Sequence, residues 1–166
     1  NDRNGGLIMY AEEILSALPQ KKIIGRLPNN IKDIAIDSRG VQPSTLFICI
    51  KGYTVDGHDF AQKAVNAGAT IVVTERELEL TGDVAQVIVD STDRALGLLA
   101  AKFFDYPSND IVMIGVTGTN GKTSVTGIIH NILIGMGEKS ALSGTSGFNL
   151  NGVLYDFNST VTGNLS

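Results

Sequence analysis

Cysteine is nearly absent from this chain. Cys49 is the only one in 166 residues, which excludes an intrachain disulfide and a cysteine-built zinc cage. Basic residues are in deficit: 13 Lys and Arg stand against 17 Asp and Glu, a net charge of −4. With no basic field, general nucleic-acid binding is disfavoured. Long apolar runs are missing as well. The longest is about six residues, and a membrane span needs ~20, so no membrane partner is expected. The opening Asn1-Asp2-Arg3-Asn4-Gly5-Gly6 has no apolar core, so no signal peptide is visible and a reducing, cytoplasmic compartment is expected. No internal repeat and no low-complexity stretch stands out. What remains is ordinary globular material. Apolar residues make up 43% of the chain, enough for a packed core. The length suits one domain, or one domain plus part of another. Glycine is the outlier, with 19 residues, about 11% against a usual ~7%.

Periodicity orders the chain into alternating elements. Apolar residues at helical spacing predict a short helix over 7–18, ended by Pro19. Ile31, Ile34 and Ile36 predict a strand running into the polar turn Asp37-Ser38-Arg39-Gly40. Thr45 to Ile50 is a continuous, partly β-branched apolar run, the pattern of a strand buried on both faces. A glycine-bounded loop, Lys51 to His58, follows. A helix over 59–67 stopped by Gly68, a strand over 70–74, a strand over 86–89 and a helix over 93–105 complete this part. Asp90 to Thr92 supply cap candidates for that last helix. Tyr106-Pro107-Ser108-Asn109-Asp110 breaks the pattern and marks the best domain boundary, giving 1–107 and 108–166. Beyond it come a predicted buried strand over 111–116, a tight loop over 117–121, a helix over 122–136, a small strand near 140–142 and a hairpin at Asn151-Gly152. Strands alternating with helices imply an α/β fold with a mainly parallel sheet.

The sharpest feature is Gly115-Val116-Thr117-Gly118-Thr119-Asn120-Gly121-Lys122-Thr123-Ser124, between a predicted strand and a predicted helix. Glycines let backbone N–H groups approach phosphate oxygens with no Cβ in the way. The helix N-terminus adds partial positive charge. Lys122 would reach the β- and γ-phosphates of ATP, and the Thr123 hydroxyl would ligate Mg²⁺. Gly118, Thr119, Asn120, Gly121, Lys122, Thr123 and Ser124 are therefore the expected ATP-binding residues. Val116 stands where the strict G-x-x-x-x-G-K-[ST] pattern requires glycine.

This loop resembles the ATP loop of the Mur ligases, whose own loop carries a non-glycine at that position. Asp37-Ser38-Arg39, Leu46-Phe47, Gly52 to Phe60, Tyr106-Pro107-Ser108 and Gly144 to Phe148 resemble the same family, so the likeness runs from about Ile31 to Phe148. It implies a small N-terminal uridine-binding α/β domain followed by the beginning of a P-loop α/β ATPase domain. It implies an ATP-dependent amide ligase, monomeric, that adds the third amino acid to UDP-N-acetylmuramoyl-L-Ala-D-Glu in peptidoglycan synthesis. ATP would phosphorylate the γ-carboxylate of D-glutamate, the incoming amine would attack the acyl phosphate, and phosphate would leave. The protein's part is alignment and charge neutralisation, with Lys122 in the catalytic role. By the same resemblance Ile36, Ser38, Tyr53, Thr54 and Val55 would line the uridine site, and Asn158, Thr160 and Thr162 would contact the substrate near the end of the chain. Two readings compete with a ligase fragment. One is a stand-alone uridine-nucleotide and ATP-binding module without turnover; the other is a different P-loop protein.

Residue chemistry alone is plainer. Asp37-Ser38 reads as a turn bonding its own backbone, and Tyr53 as a surface aromatic. His58 reads as a helix-start or structural residue, His130 as structural, and Cys49 as an inert core thiol. Glu12-Glu13 and Glu75, Glu77 and Glu79 read as solvated faces.

Overall fold

The computed structural model describes residues 8–52, 54–144 and 147–155. The chain divides into two compact units, Asn1–Ile111 and Val112–Ser166.

The first unit is built on five strands: β2 (Lys22–Ile24), β4 (Asp33–Ala35), β5 (Thr45–Ile48), β6 (Ala69–Thr74) and β7 (Ala85–Ile88). Their order is β2-β7-β6-β5-β4, parallel throughout except for β2, which pairs antiparallel at one edge. Every residue of β5 is buried, as expected of a central parallel strand covered on both faces. Alternation then sorts its side chains between two cores. Leu46 and Ile48 join Ile71, Val73 and Val87 against helices α1 (Ala11–Leu15) and α3 (Thr92–Phe103), which contribute Ile14, Leu15, Leu99 and Phe103. Phe47, Cys49 and Val72 face the other way, onto Ala61 and Ala64 of α2 (Ala61–Ala67). The result is a helix–sheet–helix sandwich, the arrangement parallel strands need to bury both faces.

Several boundaries differ from the sequence expectation. The helix expected over 7–18 is one short α1; Met9–Tyr10 instead forms β1, paired antiparallel with β3 (Asn30–Ile31). The edge strand β2 carries too short a pattern to register as a strand. The helix expected from Asp59 begins as a 3-10 turn, Gly57–Phe60, before α2. The cap of α3 is Ser91, one of the expected candidates, whose Oγ accepts from the Arg94 N–H at 3.3 Å. The proline segment forms one 3-10 turn, Pro107–Asp110.

The second unit holds helix α4 (Lys122–Gly135) and an antiparallel sheet of β8 (Ala141–Gly144), β9 (Gly147–Leu150) and β10 (Val153–Tyr155). The hairpin expected at Asn151-Gly152 is there, with φ of 50° and 87° at its two central residues, the signature of a type I′ turn. His130 is buried in the α4–sheet seam. Its Nε2 lies 3.1 Å from Asn149 Oδ1 and its Nδ1 2.8 Å from Ser140 Oγ. Both ring nitrogens are spent on structure, as the sequence suggested.

The strand expected over 111–116 is not formed. The segment pairs with no strand among the described residues and is largely exposed: Val112 is 90% accessible and Met113 70%. A β-ladder needs a neighbour to take its N–H and C=O groups, and none of β8–β10 supplies one. The outer face of α4, with Val125, Ile128 and Ile132, is likewise exposed.

Candidate functional sites

Two of the expected sites fall in different units. In the first unit, β4 and β5 are adjacent and parallel, with Ala35 opposite Phe47. The turn after β4, carrying Ile36 and Ser38, and the loop after β5, carrying Thr54 and Val55, therefore leave the same edge of the sheet. That edge, at the carboxyl ends of parallel strands, is where open α/β sheets take ligands.

The Asp37 turn is closed on itself. Its Oδ1 accepts from the Arg39 N–H at 2.9 Å, and its two oxygens accept from Arg39 Nε and Nη2 at 2.6–3.0 Å. These bonds to Arg39, side chain first, hold the Asp37 carboxyl down to about 2. The turn-bonding reading of Asp37 thus holds. Asp37 and Arg39 form the frame, and Ser38, 7% exposed, and half-buried Ile36 are what the frame sets at the sheet edge. Thr54 and Val55 are exposed. Tyr53, Asn158, Thr160 and Thr162 lie outside the described residues.

The loop after β5 has a firm base. Lys51 and Asp56 form an antiparallel bridge. Gly52 N–H donates to Val55 O at 2.9 Å, and Gly57 N–H to Ile50 O at 2.9 Å. Asp56 caps the following 3-10 turn through His58 N–H and meets the His58 ring and the Arg76 guanidinium. The His58 backbone bond, then its ring, lower the Asp56 carboxyl to about 2. Glu75, Glu77 and Glu79 are exposed, as expected of a solvated face, but Glu75 has a further role. Glu75 Oε1 accepts from Thr92 N–H at 2.9 Å and from Thr92 Oγ1 at 3.1 Å, so this carboxylate caps α3 from outside. No helical or strand period marks such a tertiary cap, so sequence reasoning had no signal for it. Cys49 is fully buried, and burial pushes its thiol up to about 12. It is inert, as expected. A 270 Å³ groove between the chain after α1 and the start of α3, lined in part by Pro19, Val89, Asp90, Ser91 and Arg94, includes none of the expected site residues.

In the second unit, the glycine loop closes onto the first turn of α4. Gly121 takes φ 81° as the residue preceding the helix. Nothing lies within 4 Å of a Cβ built there or on Gly115, so the loop is open to a close-approaching ligand. Lys122 Nζ donates to the Gly118 carbonyl at 2.6 Å, folding its ammonium back over the loop. The first N–H groups of α4 have no intrahelical acceptor and carry the positive end of its dipole. Gly118, Thr119, Asn120, Gly121, Lys122, Thr123 and Ser124 are all exposed. An open glycine loop at a helix N-terminus is the arrangement that phosphate binding requires. No cluster of three or more His, Cys, Asp or Glu residues with metal-holding geometry occurs among the described residues.

Comparison with known proteins bears on both units. Residues 30–104 match the profile described as "Mur ligase family, catalytic domain". The UDP-N-acetylmuramoyl-L-alanyl-D-glutamate–L-lysine ligase of Staphylococcus haemolyticus is 46% identical over 143 residues, 86% of this chain and 29% of the relative. The UDP-N-acetylmuramoyl-L-alanyl-D-glutamate–2,6-diaminopimelate ligase of Halalkalibacterium halodurans is 48% identical over 132 residues, 80% of this chain and 27% of the relative. A solved structure of a UDP-N-acetylmuramoyl-L-alanyl-D-glutamate–2,6-diaminopimelate ligase superposes with a TM-score of 0.67 at 25% identity, covering 86% of this chain and 29% of that one. The chain spans about three tenths of the length of the relatives it matches. Likeness to Mur ligases thus reaches across both units, and residues 30–104 carry the Mur ligase family match.

Proposed function

We propose that this chain is the N-terminal part of an ATP-dependent amide ligase that adds the third amino acid to UDP-N-acetylmuramoyl-L-Ala-D-Glu. The observation that carries the reading is the Gly118–Ser124 loop, folded as an open cradle on the N-terminus of α4 with the Lys122 ammonium above it. It sits in a chain 46–48% identical to ligases named for that dipeptide substrate. Lys122 neutralises charge on the phosphoryl group as it passes to the D-glutamate γ-carboxylate, and the incoming amine then displaces phosphate. Mg²⁺, met by Thr123, would supply further charge neutralisation. Residues 1–107 form the uridine-sugar domain, with Ile36, Ser38, Tyr53, Thr54 and Val55 at the uracil, and 108–166 begin the ATPase domain. Asn158, Thr160 and Thr162 would be further contacts to the nucleotide-sugar substrate. The relatives named for L-lysine and for diaminopimelate are about equally similar, so the reading covers the third residue as a class.

Calorimetric titration with UDP-N-acetylmuramoyl-L-Ala-D-Glu tests the uridine site. Saturable binding, weakened by Ser38→Ala, is expected. ATP turnover is expected to be weak or absent, because the segment ahead of the phosphate loop lacks ladder partners among the described residues. No saturable binding by the folded chain, or substrate-stimulated ATP turnover at enzyme-like rates, would refute the respective halves of this reading.

A further inference from the structure

His58 is 4% exposed, yet the chemistry proposed above gives it nothing to do. Burying an imidazole is costly unless both nitrogens are satisfied, and here both are. Nε2 accepts from the Glu75 N–H at 3.0 Å. That nitrogen is therefore unprotonated, and the ring proton sits on Nδ1, 2.6 Å from Asp56 Oδ1. The same oxygen accepts from His58 N–H at 2.9 Å, while Oδ2 meets Arg76 Nη2 at 3.3 Å. Asp56 is the residue at which the 51–55 loop closes, through its bridge to Lys51. Glu75 in turn follows β6 and reaches Thr92, the first residue of α3. One imidazole thus ties the loop after β5 to the end of β6 and, through Glu75, to the start of α3. A core-filling role alone would be served by leucine, which makes none of these bonds.

We infer that His58 is a positioning residue. Its neutral ring holds Asp56, and so the base of the loop carrying Thr54 and Val55, in the conformation that receives the uridine end of a nucleotide sugar. This rests on the uridine reading above. The latch itself does not depend on that reading.

The test uses the full chain with His58→Leu, which keeps bulk and removes both bonds, and His58→Asn, which keeps a donor toward Asp56. Loss of a charge-assisted hydrogen bond predicts amide exchange at Gly52 and Gly57 faster by about ten- to a hundredfold, with exchange at Ile71 to Val73 changed much less. Binding of UDP-N-acetylmuramoyl-L-Ala-D-Glu should weaken about tenfold or more, and His58→Asn should recover part of both effects. If His58→Leu does not fold, Arg76→Ala loosens the same carboxylate from the exposed side and should accelerate the same two amides. Unchanged exchange at Gly52 and Gly57 in folded variants overturns the latch. Accelerated exchange with undiminished binding overturns the positioning role. Accelerated exchange in a chain that never bound the nucleotide sugar overturns the uridine reading and upholds the latch.

Discussion

Gly57 is the position where a single methyl group should do the most damage to the first unit. A Cβ built there would stand 2.6 Å from Ile50 O, 2.7 Å from Ile50 N and 3.0 Å from Cys49 C. Favourable carbon contacts begin near ~3.5 Å. All three obstacles are main-chain atoms just beyond buried β5, so no side chain can swing aside. Ile50 O also accepts the Gly57 N–H at 2.9 Å, and any relief by movement strains that bond. Overpacking costs about 1–3 kcal/mol, and a weakened hydrogen bond adds about 1 kcal/mol. Gly57→Ala should therefore cost about 3 kcal/mol. Gly97→Ala is the control: it sits inside α3 with nothing within 4 Å of the added carbon. There alanine's helix propensity should stabilise by about 0.5–1 kcal/mol. The same chemical change thus has opposite signs at two sites. Urea unfolding followed by far-UV circular dichroism reads this directly. With a slope of roughly 1–2 kcal/mol/M, Gly57→Ala lowers the midpoint by about 1.5–3 M and Gly97→Ala raises it slightly. A Gly57→Ala chain within about 0.5 kcal/mol of the parent would refute the steric argument.

Phe47→Ala removes a fully buried ring packed among Cys49, Ala61, Ala64 and Val72 and should cost about 3–5 kcal/mol; a loss below about 1.5 kcal/mol in urea would mean that the site collapses freely. Asp56 has its carboxyl held at about 2, below the ordinary ~4 of the unfolded chain. Its stabilisation is therefore complete above about pH 4 and lost as pH falls toward 2. The stability gap between the parent chain and Asp56→Asn should shrink over that window, and a constant gap would contradict the assignment. Cys49, buried with its thiol near 12, should react with an aromatic disulfide at pH 8 only as fast as the unit unfolds. Rapid labelling of the native chain would show that β5 opens locally.

Much of this architecture is legible in the sequence. The run Thr45 to Ile50 has no polar side chain to place in water after its first residue, so only a doubly covered strand accommodates it. The loop at Gly118 to Ser124 announces itself because phosphate chemistry needs those residue types in that order. What escaped was set by partners distant in sequence. β2 and β1 are short segments whose pairing is decided by β7 and β3. Glu75 is solvated charge as expected, and its capping bond escaped notice because it depends on Thr92 being nearby. The segment over 111–116 misled in the opposite sense. Its β-branched residues have the intrinsic preference, but a strand is a relation between neighbours, and preference alone does not supply one.

That exposed stretch separates where this protein keeps its stability from where it keeps its risk. During synthesis the first unit acquires every strand of its central sheet by Ile88 and can close over its core early. Ile111 to Ile114, in contrast, carries four uncharged β-formers or apolar side chains, all exposed in this chain, which spans about three tenths of its relatives' length. Such a stretch templates intermolecular pairing whatever the thermodynamic strength of the neighbouring unit. Asp110 stands guard at one end only. Solubility of the isolated 166-residue chain is thus expected to respond to a charged replacement at Val112 or Met113, which lie outside the cluster that holds Phe47.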